Sequence, residues 1–300
     1  MLRFSPSHFL LLFVAAIWGG GFVAQKSGLD SLEPFSFNTA RFILATLSLL
    51  PVWLYMRRRY SAAALQSDPW YFWLGGILAG TMLTGGLSMQ QVGLQYTTAG
   101  NAGFITGMYI VIVPLLGLLL GQTTRWLTWA GIALAVAGLY QLSVEVGSSG
   151  LSMNYGDGLQ LIGALFWAVH VVMLGWLARR VKDLVGLSAV QFAASAVFSG
   201  VLMLWLETPQ WADFQAGTVP LLYSGIVASG VAFTLQIIGQ RGVASEVAAL
   251  LLSFEAVFAL LTGILFLGEG FGMQEMLGCG LMMAGIILTL WPENRAQAGS

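Results

Sequence analysis

The residues that could do chemistry are a few polar side chains set inside long apolar runs. Glu255 lies about ten residues into a run that begins near residue 245, which corresponds to a depth of about 15 Å along a helix. Removal of a carboxylate from water disfavours its charged form, so a carboxyl group at this depth could take up and release a proton. The alternative is a structural role in which Glu255 pairs with helix ends or with Arg41.

Arg41 is the second charged candidate, about five residues inside its own apolar run. It shares a helical face with Asn38, Ala45 and Ser48, at steps of three and four residues, which indicates a polar stripe turned inward. A guanidinium group can bind a substrate carboxylate through two parallel hydrogen bonds. It can equally brace neighbouring helices or pair with Glu255, and the sequence leaves these interpretations open.

Two tryptophans fall near the middle of their apolar runs, although membrane tryptophans are usually found at the interfaces. Trp18 shares a helical face with Phe22 and Gln25, and Trp167 shares one with His170. Indole rings beside a cavity would suit an apolar or aromatic side chain, or a cation, whereas simple packing is the alternative. His170 could shuttle protons or could simply be hydrogen-bonded in the interior.

Uncharged polar side chains complete the candidate site. Amides and a phenol can bind an amino or carboxyl group without carrying charge, and they can also join helices to one another. We predict a substrate-binding set that consists of Trp18, Gln25, Arg41, Gln90, Asn101, Tyr109, Trp167, His170 and Gln236. Glu255 is the predicted proton-coupling residue.

The composition indicates what must position these residues. Only 8% of the 300 residues are charged and 57% are hydrophobic, whereas soluble domains carry about 25% charged residues. This excludes a soluble enzyme, a nucleic-acid binder and a disordered chain, and it predicts a multi-pass protein in contact with the lipid bilayer. A single cysteine and two histidines offer too few ligands for a metal cluster, so neither a metal nor a cofactor is expected.

The apolar runs and the basic residues together predict a topology. Ten runs of about 20 residues are expected to cross the membrane: 8–25, 36–56, 70–92, 98–120, 125–142, 157–178, 186–206, 218–240, 245–267 and 273–291. With the N-terminus in the cytoplasm, ten of the twelve Lys and Arg residues fall on the inner side, Lys26 falls outside and Arg41 lies within a run. This follows the positive-inside rule, so both termini are predicted to be cytoplasmic.

The two halves of the chain repeat each other. Gly131 and Gly138 correspond to Gly278 and Gly285 at an offset of 147 residues, and similar offsets relate other positions along the chain. A duplicated unit of five helices enters the membrane from opposite sides, because five is odd. We therefore predict an all-α membrane protein of ten transmembrane helices, built as two inverted five-helix repeats at 1–145 and 146–300.

Several segments resemble the drug/metabolite transporter superfamily, in its bacterial EamA-type branch of ten-helix metabolite transporters. The matching segments are Ala16–Gly19, Ala40–Ala45, Tyr96–Ala99, Ser253–Ala256 and Leu265–Glu269. The resemblance covers essentially the whole chain. It implies secondary transport of small metabolites, often amino-acid export, across the bacterial inner membrane.

These observations predict a secondary active transporter that exports small metabolites such as amino acids by alternating access, with protons as a candidate coupling ion. An uncoupled facilitator or an importer is an alternative, and a structural or sensory membrane protein that transports nothing is a third. An enzyme is not expected, because the sequence has no ligand-spaced catalytic cluster, no nucleophile elbow and no nucleotide-binding loop.

Overall fold

The computed structural model describes residues 5–97, 99–143, 154–262, 264–265 and 272–291, with the backbone alone at 62, 63, 99–101 and 143. The elements in this part of the chain are helices and turns, and no strand occurs among the described residues. The α-helices are α1 (Pro6–Leu29), α2 (Pro34–Arg59), α3 (Ala62–Leu65), α4 (Gly75–Gly93), α5 (Ala99–Gly107), α6 (Tyr109–Leu119), α7 (Trp126–Ser143), α8 (Tyr155–Ala178), α9 (Leu184–Leu206), α10 (Trp211–Ala216), α11 (Thr218–Leu222), α12 (Ala232–Gln240), α13 (Ser245–Leu252), α14 (Glu255–Thr262) and α15 (Met273–Thr289). Two π-helical segments, Trp70–Leu74 and Tyr223–Val231, lead directly into α4 and α12.

The described helices fit a membrane protein. Eight helical segments of the described chain are long and apolar enough to cross a bilayer, and they match eight of the predicted runs. The predicted runs 125–142 and 273–291 coincide with two shorter apolar helices, Trp126–Leu142 and Met273–Thr289. Large apolar side chains such as Phe9, Leu204 and Trp205 face outward, while many polar side chains are buried. The prediction of an all-helical integral membrane protein is confirmed.

Local sequence signals start several of the helices. Pro6 and Pro34 occupy the first turns of α1 and α2, where the missing backbone N–H has no intrahelical partner to lose. At the start of α8, the Asn154 side chain accepts from the backbone N–H of Asp157 at 2.9 Å. The Asp157 carboxylate accepts in return from the backbone N–H of Asn154 at 3.0 Å.

Two of the predicted runs are each broken into two helices. The run 98–120 is interrupted at Met108, between α5 and α6, and the run 245–267 is interrupted at Ser253 and Phe254, between α13 and α14. The Ser253 hydroxyl donates to the carbonyl of Leu250 at 2.8 Å, which competes with the helical hydrogen bonds there. The apolar runs alone did not indicate these two breaks.

Helices α7 and α15 pack against each other through glycines. A Cβ atom on Gly131 would lie 2.6 Å from the carbonyl oxygen of Gly285, and one on Gly138 would lie 2.6 Å from that of Gly278. These distances are too short for any side chain, so the glycines set the separation of the two backbones. The earlier glycine of α7 meets the later glycine of α15, so the two helices run antiparallel.

The other helices of the two halves are interleaved. Helix α1 packs against α12, α13 and α14, and α8 packs in the same manner against α4, α5 and α6. Helices α2 and α9 lie side by side. The interior is therefore shared between the halves and does not consist of two separate cores.

At each end of the α2–α9 pair, a carboxylate accepts hydrogen bonds that link the two helices. Glu207, at the end of α9, accepts from the backbone N–H groups of Phe35 and Ser36 at 2.7 and 2.6 Å, and so caps the start of α2. At the opposite end, Asp183 accepts from the indole N–H of Trp53 at 2.7 Å. The basic end of α2 and the loop before α9 therefore lie at the same end of the molecule.

The glycine contact between α7 and α15 predicts a position-specific effect of added methyl groups. Gly285→Ala places a Cβ within 2.5 Å of the Gly131 carbonyl oxygen, whereas Gly280, on the same helix, has open space around it. We expect Gly285→Ala to lower the free energy of unfolding by about 1–3 kcal/mol through overpacking. Gly280→Ala should leave it unchanged or raise it by up to about 1 kcal/mol, because alanine favours helix. Thermal unfolding of the two purified variants measures the difference, and equal midpoints would contradict the contact.

Candidate functional site

A cavity lies at the centre of the helical assembly, between elements of both halves of the chain. The centres of water-sized molecules can occupy about 50 Å³ of it. Eight of the ten predicted site residues line it: Trp18, Gln25, Arg41, Gln90, Tyr109, Trp167, Gln236 and Glu255. These residues are far apart in the sequence, and the interleaved packing of α1 and α8 brings them together.

One wall of the cavity is aromatic. The ring of Phe233 lies parallel to the indole of Trp167 at 5.9 Å between centroids, and the indole of Trp18 contacts its ring at 4.6 Å. Phe233 therefore joins the two tryptophans into one surface. This residue was missed by the sequence analysis, because an apolar side chain in an apolar run carries no signal of the direction in which it points.

Each indole N–H is anchored on the other half of the chain. The Trp18 indole donates to the carbonyl oxygen of Ala228 at 2.9 Å, within the π-helical segment Tyr223–Val231. The Trp167 indole donates to the side-chain oxygen of Gln90 at 3.2 Å. Wide π-helical turns leave carbonyl groups available for such contacts, and the two bonds fix the orientation of both rings at the cavity.

A chain of amides continues from the aromatic wall, starting at Gln90. Gln90 donates to the side-chain oxygen of Gln25 at 3.2 Å, while its own backbone carbonyl accepts from Gln160 at 3.0 Å. Thr106, which lines the cavity, donates to the side-chain oxygen of Gln160 at 3.1 Å. Gln90 is therefore held from three sides, and it positions Trp167 as well as offering its surface to the cavity. Gln160 and Thr106 were not identified from the sequence.

Arg41 brings a guanidinium group to the cavity from α2. The side chain is 2% exposed, and its Nε donates to the hydroxyl of Ser229 at 3.1 Å. Its Nη1 has no hydrogen-bond partner in the described part of the chain. A buried cation needs polar partners, and Arg41 lines the cavity, so an anionic group bound there would supply one.

Glu255 is the first residue of α14, directly after the break at Ser253 and Phe254. The positive end of the helix dipole therefore points at its carboxyl group. The side chain is half-buried, and no hydrogen bond or ion pair joins it to Arg41 or to another described residue. In this structure the two charged groups face one cavity without neutralising each other.

Of the two remaining predicted residues, His170 lies away from the cavity lining and Asn101 has no described side chain. His170 is fully buried one layer behind the cavity, where its Nε2 lies 3.2 Å from the side-chain oxygen of Gln191. Its ring packs edge-on against Trp167 and Phe233, at 6.0 and 5.9 Å between centroids. The side chain of Asn101 lies outside the described residues, although its backbone belongs to α5.

The EamA-like transporter family matches residues 5–144 and 154–291, which is nearly the whole chain. The chain belongs to the EamA-like transporter family. This confirms the resemblance found in the sequence.

Relatives agree with this assignment. An uncharacterized transporter of Archaeoglobus fulgidus is 33% identical over 290 residues, which cover 93% of this chain and 83% of that protein. YedA, an uncharacterized inner membrane transporter of Escherichia coli K12, is 26% identical over 289 residues, which cover 94% and 90% of the two chains. A solved crystal structure superposes with a TM-score of 0.76 at 21% identity, covers 95% of this chain and 97% of its own, and supports the fold.

The family and the names of these relatives describe a membrane transporter and not an enzyme. Transport by a membrane protein requires a polar binding site inside an apolar exterior. The cavity is therefore the candidate transport site of this EamA-like protein.

Proposed function

We propose that this EamA-like transporter is a secondary active carrier that exports small zwitterionic metabolites such as amino acids across the bacterial cytoplasmic membrane. The observation that supports this most is the presence of Arg41 and Glu255 on one cavity without an ion pair between them. A zwitterion carries a negative group that can pair with Arg41 and a positive group that can pair with Glu255. Its carboxylate would accept from the guanidinium of Arg41, and its ammonium group would donate to Glu255.

The aromatic wall supports an apolar or aromatic side chain on the substrate. Trp18, Phe233 and Trp167 form a continuous face, and hydrogen bonds to Ala228 and Gln90 fix the orientations of the two indoles. Aromatic rings bury apolar side chains and attract cations through their faces. The substrate would lie with its charged end toward Arg41 and Glu255 and its side chain on this wall.

Ten transmembrane helices in two inverted repeats, 1–145 and 146–300, are part of the proposal. Gly131 meets Gly285 while Gly138 meets Gly278, and the repeat relates Gly131 to Gly278 and Gly138 to Gly285. Each contact is therefore the image of the other, as expected when a twofold axis passes between α7 and α15. The helix breaks near Met108 and Phe254 also correspond, at the offset of 146 residues that relates Ala102 to Ala248.

The proposed mechanism is alternating access between two packings of the repeats. Inverted repeats have two packings related by exchange of the halves, and rocking between them opens a central site to each side in turn. Helices interrupted near the membrane centre are typical of such sites. Here Tyr109 and Glu255, each the first residue after a break, correspond in the repeat and line the same cavity.

Cytoplasmic termini are proposed from the basic residues. The Trp53–Asp183 hydrogen bond brings the basic segments 57–59 and 179–182 to one end of the molecule. The positive-inside rule assigns that end to the cytoplasm. An even number of spans then returns the C-terminus to the same side.

The first test of the proposal addresses Arg41. In proteoliposomes that take up labelled phenylalanine, unlabelled phenylalanine should compete about 10- to 100-fold less well in Arg41→Gln, because a charge-assisted hydrogen bond is lost. Phenethylamine, which lacks the carboxylate, should compete equally in both proteins. Lys26→Gln, a matched loss of charge at an exposed position, is the control. Equal loss for both compounds, or no competition by any amino acid in the unmodified protein, would contradict the proposal.

The second test addresses proton coupling through Glu255. Protons that enter as the substrate leaves would drive export, so efflux from loaded vesicles should accelerate when the exterior is made acidic. Glu255→Gln mimics the protonated carboxyl group and has no proton to release, so its efflux should no longer respond to the gradient. An unchanged response in Glu255→Gln would remove this residue from coupling. Absence of a response in the unmodified protein would favour the uncoupled facilitator.

A further inference from the structure

An aromatic ridge, formed by Trp70 and Trp73, lies at the basic end of the molecule. It is not part of the cavity lining. The π-helical segment Trp70–Leu74 contains four consecutive aromatic residues. Trp70 and Trp73 are 67% and 53% exposed, whereas Phe72 is buried against Trp53 with 6.3 Å between ring centroids. The wide π-helical turn therefore exposes the two indoles, while the buried ring of Phe72 anchors the segment.

Two guanidinium groups are stacked on aromatic rings at this end. The Cζ atom of Arg180 lies 4.0 Å from the ring centroid of Trp176 and 5.8 Å from that of Tyr71. The Cζ atom of Arg57 lies 5.4 Å from the ring centroid of Trp53. Stacking restricts the motion of long side chains, so both cations are held in position with hydrogen-bond donors left over.

Hydrogen bonds join these groups into one surface. The indole of Trp53 donates to Asp183 at 2.7 Å, and the backbone N–H of Lys182 donates to the Ser67 hydroxyl at 2.9 Å. The rings of Tyr71 and Trp176 meet edge to face at 5.2 Å. We call the set Arg57, Arg180 and Lys182, with the rings of Trp53, Tyr71 and Trp176, the basic–aromatic cluster.

The positive charge of the cluster is not balanced by the described residues around it. None of the three cations forms an ion pair within the ranges that the structure describes, and all three are exposed. Asp183 accepts from Trp53 and from the backbone N–H of Gly186, and Asp68 accepts from the backbone N–H of Trp70, so these two carboxylates offset only part of the positive charge. Three further arginines extend the positive surface along the same two segments: Arg58, Arg59 and Arg179.

We propose that the basic–aromatic cluster binds the headgroup of an anionic phospholipid. The phosphate oxygens would accept from Arg57, Arg180 and Lys182, and the acyl chains would lie along the exposed indoles of Trp70 and Trp73. Basic pockets at the ends of membrane helices attract anionic headgroups, and tryptophan prefers the level of the membrane interface. A soluble anion would bind the cations but would make no contact with the exposed aromatic ridge beside them. Such a lipid would bridge residues of both halves of the chain.

The test measures lipid binding to the full-length protein in detergent, by native mass spectrometry, with phosphatidylglycerol and phosphatidylcholine as probes. Neutralisation by Arg180→Gln or Lys182→Gln should each weaken phosphatidylglycerol binding about fivefold. Lys26→Gln is the matched control at the end of α1, and it should bind as the unmodified protein does. Arg180→Lys keeps the charge but loses the planar stacking group, and its binding should lie between that of Arg180→Gln and the unmodified protein.

Several results would overturn the proposal. These are unchanged binding in both neutralised variants, equal binding of phosphatidylcholine, and displacement of the lipid by millimolar inorganic phosphate, which would assign the site to a soluble anion. If a variant does not fold, the unmodified protein still decides the question through salt. Binding of phosphatidylglycerol should weaken as ionic strength rises, and salt-independent binding would contradict a role of the cations.

Discussion

The structure depends on one constraint, which is that a guanidinium group inside an apolar exterior must be surrounded by polar groups or by water. Arg41 is almost fully buried, and Ser229 is the one described side chain that accepts a hydrogen bond from it. A charge of this kind is expensive in a membrane unless it faces a cavity or a partner. The cavity, the aromatic wall and the amide chain around Gln90 are arranged about this group, and the apolar side chains that face outward isolate it.

The two halves supply the same architecture but different chemistry. Arg41 corresponds in the repeat to Gln191, which binds His170 behind the wall, and Glu255 corresponds to Tyr109. The tryptophans, by contrast, are matched, and each donates its N–H across to the other half. In our proposal the symmetry of the repeats provides a shape that can open on either side, while the unmatched charges give the cavity a fixed polarity for its ligand. In our proposal a zwitterion exploits both properties.

The sequence predicted the helical class, most helix positions and most of the polar cavity, because polar atoms in apolar runs and spaced glycines stand out. It did not predict Phe233, since an apolar residue looks the same whether it faces lipid or a cavity. The helix breaks at Met108 and Ser253 were missed because neither proline nor glycine occupies those positions. His170 follows Trp167 by three residues, so it lies about 60° round the helix from it, which is enough to move it behind the cavity wall.

We expect the cavity to open to both sides of the membrane and to hold the ligand. The most direct measurement is labelling of Ala228→Cys, a small residue that lines the cavity, in a background in which the single native cysteine is removed by Cys279→Ala. A membrane-impermeant maleimide should label this cysteine in right-side-out and in inverted vesicles alike, and phenylalanine should slow both reactions. Labelling from one side only, or at the same rate with and without phenylalanine, would contradict the account.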